Sequence, residues 1–308
     1  MQSVLRLLFA VVLASLPLAC GSSSSENAQP DARLAGRTFL VKVPSGYDGS
    51  HPVPLVVAIH GYANDAAGME SYFALDPVAD EHGFIVVYPD GTMDQAGHRF
   101  FNATDGCCDF YDTGVDDVGF IDALLDQMQA KYNIDTNRIY AVGHSNGGFM
   151  SYRLACDLSP RFAAIVSLEG AMFDDSSRCK PSEPVSVLEV HGSADETIPA
   201  SGGDDIDGYP NRAFPTLQQT LADWQGFDGC TGPGVSGLDP GNIDRETNQG
   251  TVVTEWNGKG ADVELWMIQG GTHSPTLTPQ WPEAIYTFLS AHPKGNGTNV
   301  VTSDPDSR

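Results

Sequence analysis

Positive charge is what this sequence has least of. Its 308 residues hold 16 Lys and Arg against 40 Asp and Glu, a formal net charge of −24 at pH 7. So acidic a surface repels phosphate backbones, which excludes nucleic acid as a partner, and it offers no basic patch for anionic lipid. Long apolar runs are scarce too. The stretch from Leu7 to Leu13 is the most membrane-like, and it is too short for a stable span. The six cysteines show no C-x-x-C spacing and no nearby His pair, so a structural zinc site is not expected. The chain has no internal repeat and no linker between its N-terminal tether and its polar tail, which argues for one large domain.

The first twenty residues, MQSVLRLLFAVVLASLPLAC, carry one Arg, an apolar stretch and then small residues, the layout of a targeting signal. Cys20 is followed by GSSSSENAQPDA, a flexible polar tether. Together they resemble a bacterial lipoprotein signal, and that resemblance implies lipidation at Cys20. Pro17 stands where the lipoprotein pattern prefers Leu, and plain secretion with cleavage near Ala19 is the alternative. The expected organisation is a signal over 1–19, a tether over 20–35, a folded domain over 36–292 and a tail over 293–308. No further module is expected after the domain. In either case the protein is expected outside the cytoplasm, where disulfides persist. Setting Cys20 aside leaves Cys107, Cys108, Cys156, Cys179 and Cys230. That odd number predicts two bridges and one unpaired or outward-bridging thiol, with the pairing open. A Cys107–Cys108 bridge is not expected, because neighbouring Cα atoms lie about 3.8 Å apart, below the usual disulfide minimum of about 4.4 Å.

Strand-like apolar runs recur at Phe39–Val43, Leu55–Ile59, Phe84–Tyr88, Ile139–Val142, Ala163–Leu168, Val185–Val190 and Val263–Ile268. Most are continuous and not alternating, as in strands covered on both faces of a parallel sheet. Helical patterns fall between them. In VDDVGFIDALLDQMQAKY, Val118, Ile121, Leu125, Met128 and Tyr132 share one face, and Asp116 and Asp117 suit the positive end of the helix dipole. Weaker patterns cover Pro77–Glu81, Asn146–Cys156, Thr216–Trp224 and Pro282–Ser290. Strands alternating with helices predict an α/β fold with a mostly parallel central sheet and helices on both faces.

One stretch concentrates the chemistry. In IYAVGHSNGGFM, an apolar strand runs into Gly143-His144-Ser145-Asn146-Gly147, which fits G-x-S-x-G, and then into a helical pattern. A sharp strand-to-helix turn needs residues without Cβ around it, and it lifts the serine hydroxyl out of the backbone. A serine hydroxyl is a weak nucleophile that needs a base, and the base needs an orienting carboxylate. In folds built on this turn the order is Ser, acid, His. Asp195 follows the Val185–Val190 strand in HGSADETIP, and His273 lies in QGGTHSP after the last strand. Glu196 is a minor alternative to Asp195, and Glu189 lies inside the strand. His60 and His191 each precede a Gly at a strand end, where structural histidines are common, and His144 belongs to the turn itself. Two backbone N–H groups are expected to form an oxyanion hole: Asn146, at the start of its helix, and Tyr62, the last residue of LVVAIHGY.

IHGY, YPDG, CCDFYDTGVDDVGF, IYAVGHSNGGFMSYRLAC, FAAIVSLEG, LEVHGSADETIP and GGTHS together resemble the secreted polyhydroxybutyrate depolymerase-like and feruloyl esterase-like α/β-hydrolases, that is, carbohydrate esterase family one and its relatives. The likeness runs from Gly36 to His292. It implies an α/β-hydrolase fold, serine carboxylesterase activity without metal or organic cofactor, a Ser145–Asp195–His273 triad, and Tyr62 and Asn146 as oxyanion donors. Tyr62 stands where many relatives carry Cys. A small or oligomeric ester is the expected partner, for a monomer whose only membrane contact is a lipid anchor. Feruloyl or other hydroxycinnamoyl esters of xylan are placed ahead of hydroxybutyrate oligomers, since insoluble-polyester degraders resembling this group carry an added binding module. A dormant hydrolase that only binds glycan or polymer is the reading from another class, and peptidase or acyltransferase chemistry is a third. The acidic run GGDDIDG at 202–208 lacks the spacing of a calcium loop and reads as a solvated loop. The segment over 90–114 follows a strand's carboxyl end and is expected over the site, pinned by Cys107 or Cys108. Phe100, Phe101 and Tyr111 of this segment, with Tyr62 and Trp281 from elsewhere in the chain, are the expected aromatic pocket walls.

Overall fold

The computed structural model describes residues 31–206, 208–247 and 249–295. The expected signal, Cys20, the tether up to residue 30 and the tail from 296 lie outside the described residues. Residues 31–35, expected within the tether, form a 3-10 turn at Ala32–Leu34. Arg33 ties it down by hydrogen bonding to Asp31 and, at 2.9 Å, to Asp122.

The strands are β1 (Phe39–Lys42), β2 (Val53–Ile59), β3 (Ile85–Pro89), β4 (Thr92–Met93), β5 (Arg99–Phe100), β6 (Ile134–His144) and β7 (Ala164–Leu168). They continue with β8 (Ser186–Gly192), β9 (Gly203–Ile206), β10 (Tyr209–Phe214), β11 (Val235–Ser236), β12 (Thr251–Asn257) and β13 (Asp262–Ile268). The helices are α1 (Ala66–Phe73), α2 (Asp76–His82), α3 (Asp117–Lys131), α4 (Asn146–Asp157), α5 (Leu217–Asp228) and α6 (Trp281–Ala291). Nine strands form one sheet in the order β1-β3-β2-β6-β7-β8-β13-β12-β11. From β3 to β13 the neighbours run parallel, while β1, β12 and β11 pair antiparallel at the two edges.

The continuous apolar runs do what their pattern predicts. Along β2, Leu55, Val57 and Ile59 enter one core and Val56 and Ala58 the other, all fully buried. Helices α3, α4 and α5 close the first core through Phe120, Phe149 and Trp224. Helices α1, α2 and α6 close the second through Phe73, Val78 and Trp281. Burying one such aliphatic or aromatic side chain contributes about 1.5–3 kcal/mol. On α3, Ile121, Leu125 and Met128 are buried as expected. Phe120 and Leu124 are buried beside them, while Val118 and Tyr132 lie half-buried at the rim.

Three expectations are corrected here. Cys107 and Cys108 are bridged to each other, with a Cα–Cα separation of 3.0 Å. The spacing argument assumed a trans peptide, in which successive side chains point apart, whereas the bond between them is cis. The second bridge joins Cys156 on α4 to Cys179, and Cys230 is free. Since Cys107 and Cys108 bond one another, neither pins the 90–114 segment to another element. The acidic run at 202–208 is not a plain loop: Gly203–Ile206 is a strand hydrogen-bonded to β10.

Candidate active site

Because β2, β3, β6, β7, β8 and β13 run parallel, the loops leaving their carboxyl ends gather at one edge of the sheet. Tyr62 follows β2, Ser145 follows β6, Asp195 follows β8 and His273 follows β13. Ser145 sits between β6 and α4 with φ 53°, in the left-handed region that costs a non-glycine residue energy. Its N–H donates to Leu168 O at 2.8 Å. The glycines around it are there for space. A Cβ on Gly143 would fall on the Gly147 carbonyl, and one on Gly147 would fall on the Ile59 carbonyl.

The three expected residues meet. Ser145 Oγ lies 2.8 Å from His273 Nε2, and His273 Nδ1 lies 2.8 Å from Asp195 Oδ2. An ionised carboxylate only accepts, so Asp195 fixes the imidazole proton on Nδ1 and leaves Nε2 to accept from the serine hydroxyl. The other oxygen, Asp195 Oδ1, accepts from the Thr197 and Ile198 N–H groups at 2.8 and 2.9 Å. Burial works against an Asp195 charge. The hydrogen bond and charge of His273, with the Ile198 N–H, outweigh it and hold the carboxyl below its ordinary range. Glu189 instead accepts from Tyr152 Oη at 3.0 Å, and Glu196 is exposed.

The remaining histidines near the site are structural. His60 donates from Nδ1 to Gly61 O at 2.7 Å, while its Nε2 accepts from the Gly91 N–H at 2.9 Å. This clamps the turn that presents Tyr62. His144 donates from Nε2 to His273 O at 2.8 Å, and burial pushes its pKa down to about 4, so it stays neutral. Tyr72 on α1 donates to Pro275 O at 3.0 Å. His144 and Tyr72 thus hold the loop that carries His273.

Gly61 packs against the serine corner: a Cβ there would lie 3.5 Å from Ser145 Cβ. Among the described residues neither the Tyr62 nor the Asn146 backbone N–H has an acceptor, so both are free for a ligand oxygen. The Asn146 side chain has a role that sequence reasoning missed. Fully buried, it accepts from the Phe101 N–H and donates to Phe101 O, both at 2.8 Å. It therefore fastens the 90–114 segment to the serine turn, the pinning first expected of a cysteine.

Phe100, Phe101 and Trp281 are fully buried, so they do not form the pocket walls expected of them. Phe100 and Phe101 belong to the first core and Trp281 to the second. Large aromatics report burial as readily as binding. Tyr111 is half-buried beside Tyr209. The aromatic group around Tyr62 is a different one, with Phe110 buried and Tyr62 and Tyr209 half-buried. Tyr62 Oη donates to Asp94 Oδ2 at 2.5 Å, its ring meets Phe110 edge-on at 5.0 Å, and Phe110 stacks on Tyr209 of β10 at 3.9 Å.

Among the described residues two groups have ligand atoms close enough for an ion, namely Glu81, His82 and Glu283 on the surface, and buried Glu169, His191 and Asp195. In the buried group both ring nitrogens of His191 already face acceptors, Glu189 Oε1 at 3.0 Å and Ile198 O at 2.9 Å. That set offers a metal no free imidazole lone pair.

The sequence profile of the family described as "Esterase PHB depolymerase" matches residues 38–212, more than half of the chain. The chain belongs to the esterase PHB depolymerase family. The match includes Ser145 and Asp195 and ends before His273. Among curated relatives, "Probable feruloyl esterase C" of Aspergillus terreus is 31% identical over 301 residues, covering 92% of this chain and 97% of that one. "Feruloyl esterase B" of Piromyces equi is 30% identical over 247 residues, 77% of this chain and 42% of that one. "Bifunctional acetylxylan esterase/xylanase XynS20E" of Neocallimastix patriciarum is 27% identical over 280 residues, 87% of this chain and 36% of that one. The chain thus spans less than half the length of the last two. Among solved structures, an acetyl xylan esterase from Aspergillus awamori superposes with a TM-score of 0.60 at 16% identity, covering 83% of this chain and 94% of that one. A Bacillus cereus carboxylesterase does so with a TM-score of 0.54 at 15% identity, with the same coverage. At such identities these two share the fold.

Proposed function

We propose that this esterase hydrolyses acyl esters of plant polysaccharide, hydroxycinnamoyl (feruloyl) esters of xylan foremost, by a Ser-His-Asp acyl-enzyme mechanism. The observation that carries the reading is the unbroken chain from Ser145 Oγ through His273 to Asp195, with both hydrogen bonds at 2.8 Å. In this mechanism Ser145 Oγ attacks the ester carbonyl carbon and its proton passes to His273 Nε2. The carbonyl oxygen becomes an oxyanion and accepts from the Tyr62 and Asn146 N–H groups. The intermediate collapses, the C–O bond to the alcohol breaks, and His273 returns the proton to the leaving oxygen. Water, deprotonated by the same imidazole, then attacks the acyl carbon; the bond from that carbon to Ser145 Oγ breaks, His273 returns the proton to Oγ, and the acid leaves. Asp195 stays ionised throughout and orients the imidazolium.

The feruloyl and acetylxylan esterase relatives support the choice of substrate class. Hydroxybutyrate oligomers are the second reading, favoured by the description of the family profile. A glycan binder without activity is disfavoured, because such a protein has no use for a complete proton relay. The test is a side-by-side comparison of kcat/KM on methyl ferulate, acetylated xylan oligomers, 3-hydroxybutyrate oligomers and p-nitrophenyl esters of rising chain length. Methyl ferulate should lead. Preference for hydroxybutyrate oligomers with methyl ferulate untouched overturns the substrate and leaves the mechanism, while silence on every ester overturns both.

The two disulfides support a site of action outside the cytoplasm. Anchoring through Cys20 is part of the same proposal. A fatty-acid probe should label the wild type and spare Cys20→Ser, whereas equal release of both into the medium would favour plain secretion.

A further inference from the structure

Beneath Asp195 lies a second buried acid that the mechanism above does not use. Glu169 follows β7, the strand between those that lead to Ser145 and Asp195. It adopts φ 58°, a left-handed conformation unusual for a residue with a side chain, and it is fully buried. Its Oε1 accepts from the Gly192 N–H at 2.7 Å. Its Oε2 is buried with no N–H or hydroxyl donor. A Glu169 carboxylate oxygen, a ring nitrogen of His191 and an Asp195 carboxylate oxygen lie within 4.8 Å of one another. His191 Nε2 is 3.5 Å from Glu169 Oε2, but it is already spent on Ile198 O at 2.9 Å.

His191 Nε2 also lies 3.9 Å from Asp195 Oδ2. But His191 pairs through Nδ1 with Glu189 Oε1 at 3.0 Å and through Nε2 with Ile198 O, so its charge answers Glu189 and it hydrogen-bonds to neither Glu169 nor Asp195. Two carboxylates that close and out of water cannot both be ionised. Counting donors decides which one keeps the proton. Asp195 takes two backbone N–H groups and the His273 N–H, whereas Glu169 takes one N–H. We propose that Glu169 is a positioning residue: it holds a proton at neutral pH and donates it to the Asp195 carboxylate, keeping Asp195 aligned with His273 without adding a second negative charge beneath the imidazole. This rests on the triad reading above. Burial, followed by the Asp195 charge, pushes the Glu169 carboxyl well above its usual range, in the same direction as the geometry. The other titratable groups facing the cluster are Glu189 and His191 on β8, Tyr152 on α4 against Glu189, Tyr72 on α1, His144 at the end of β6, and His273.

The neutral acid matters because a charged one would raise the basicity of His273 and leave it protonated, useless as a base, to higher pH. Three measurements test this. An infrared difference spectrum between wild type and Glu169→Gln at pH 7 should contain the carbonyl stretch of a protonated carboxyl; if only carboxylate bands differ, the proposal falls. This readout needs no activity, so it survives a failure of the esterase reading. In kinetics, Glu169→Ala should lower kcat about tenfold or more at nearly constant KM, through loss of alignment. Glu169→Gln, which still donates, should recover most of that loss, and equal loss in both variants would mean a merely structural role. Lastly, the acid limb of kcat/KM should coincide in wild type and Glu169→Gln. A downward displacement in the Gln variant of more than about half a pH unit would mean that a negative charge had been removed, and would overturn the proposal. If the Ala variant fails to fold, the spectrum and the pH profile of the Gln variant decide alone.

Discussion

At the scale of single residues, the proposed chemistry hangs on few atoms. Ser145→Ala removes the nucleophile but touches no core contact, so kcat should fall at least about ten-thousandfold while the melting temperature stays near that of the wild type. Near-normal turnover in a folded variant would sink the mechanism. The positions of Ser145, Asp195 and His273 were legible in the sequence because a strained turn needs glycines and because the acid and base follow in fixed order at strand ends. Glu169 and the Asn146 side chain were not legible. Their partners, Gly192, Asp195 and Phe101, lie on other strands and loops, and no local pattern encodes that adjacency. Phe100, Phe101 and Trp281 were misplaced for the opposite reason, since an aromatic beside an active-site loop carries the same letter whether it packs or binds.

At the scale of elements, the central strands were readable because both faces are buried and the residues run apolar without interruption. Strand β12 was not found. Its sequence TVVTEWN is half-exposed along most of its length, as befits a strand near the sheet edge, and its alternation is broken. Hairpin β9–β10 is polar and escapes any apolar search, yet it brings Tyr209 onto Phe110 beside Tyr62. Two predictions belong here. Asn146→Ala keeps the backbone N–H but strands the buried N–H and C=O of Phe101. It should cost about 2–4 kcal/mol in denaturant unfolding and loosen the 90–114 segment in hydrogen exchange; an unchanged midpoint would deny the side chain its role. The Cys156–Cys179 bridge closes a loop with a sequence separation of 23 between α4 and the chain before β8. Replacing both cysteines by Ser should lower stability by about 3 kcal/mol, read as a shift in the urea midpoint.

For the whole molecule, pH acts through groups that take no part in the proton relay. Asp228, at the end of α5, is buried, and one of its oxygens has no hydrogen-bond partner. Burial first, with Asp262 adding to it against the Val185 N–H and Lys294, pushes its pKa up to about 7. The folded state therefore binds a proton that the unfolded chain has released. This contribution is fully present below about pH 4, near the unfolded value, and is lost as pH rises to about 7. His60 and His144, held neutral by burial, act in the opposite sense on the acid side, so the test compares wild type with Asp228→Asn at each pH. The variant should gain in relative stability from pH 4 to 7 and level off near a few kcal/mol; a difference independent of pH would refute the assignment. The spread of the relay along the chain has a kinetic consequence. The Ser145–His273 bond joins residues 128 apart and the Asp195–His273 bond residues 78 apart, so the relay closes only once β13 has docked against β8. Contacts of such long range form slowly. In refolding from urea, helical circular dichroism should return first and ester turnover last, and the lag between the two would time the arrival of one strand.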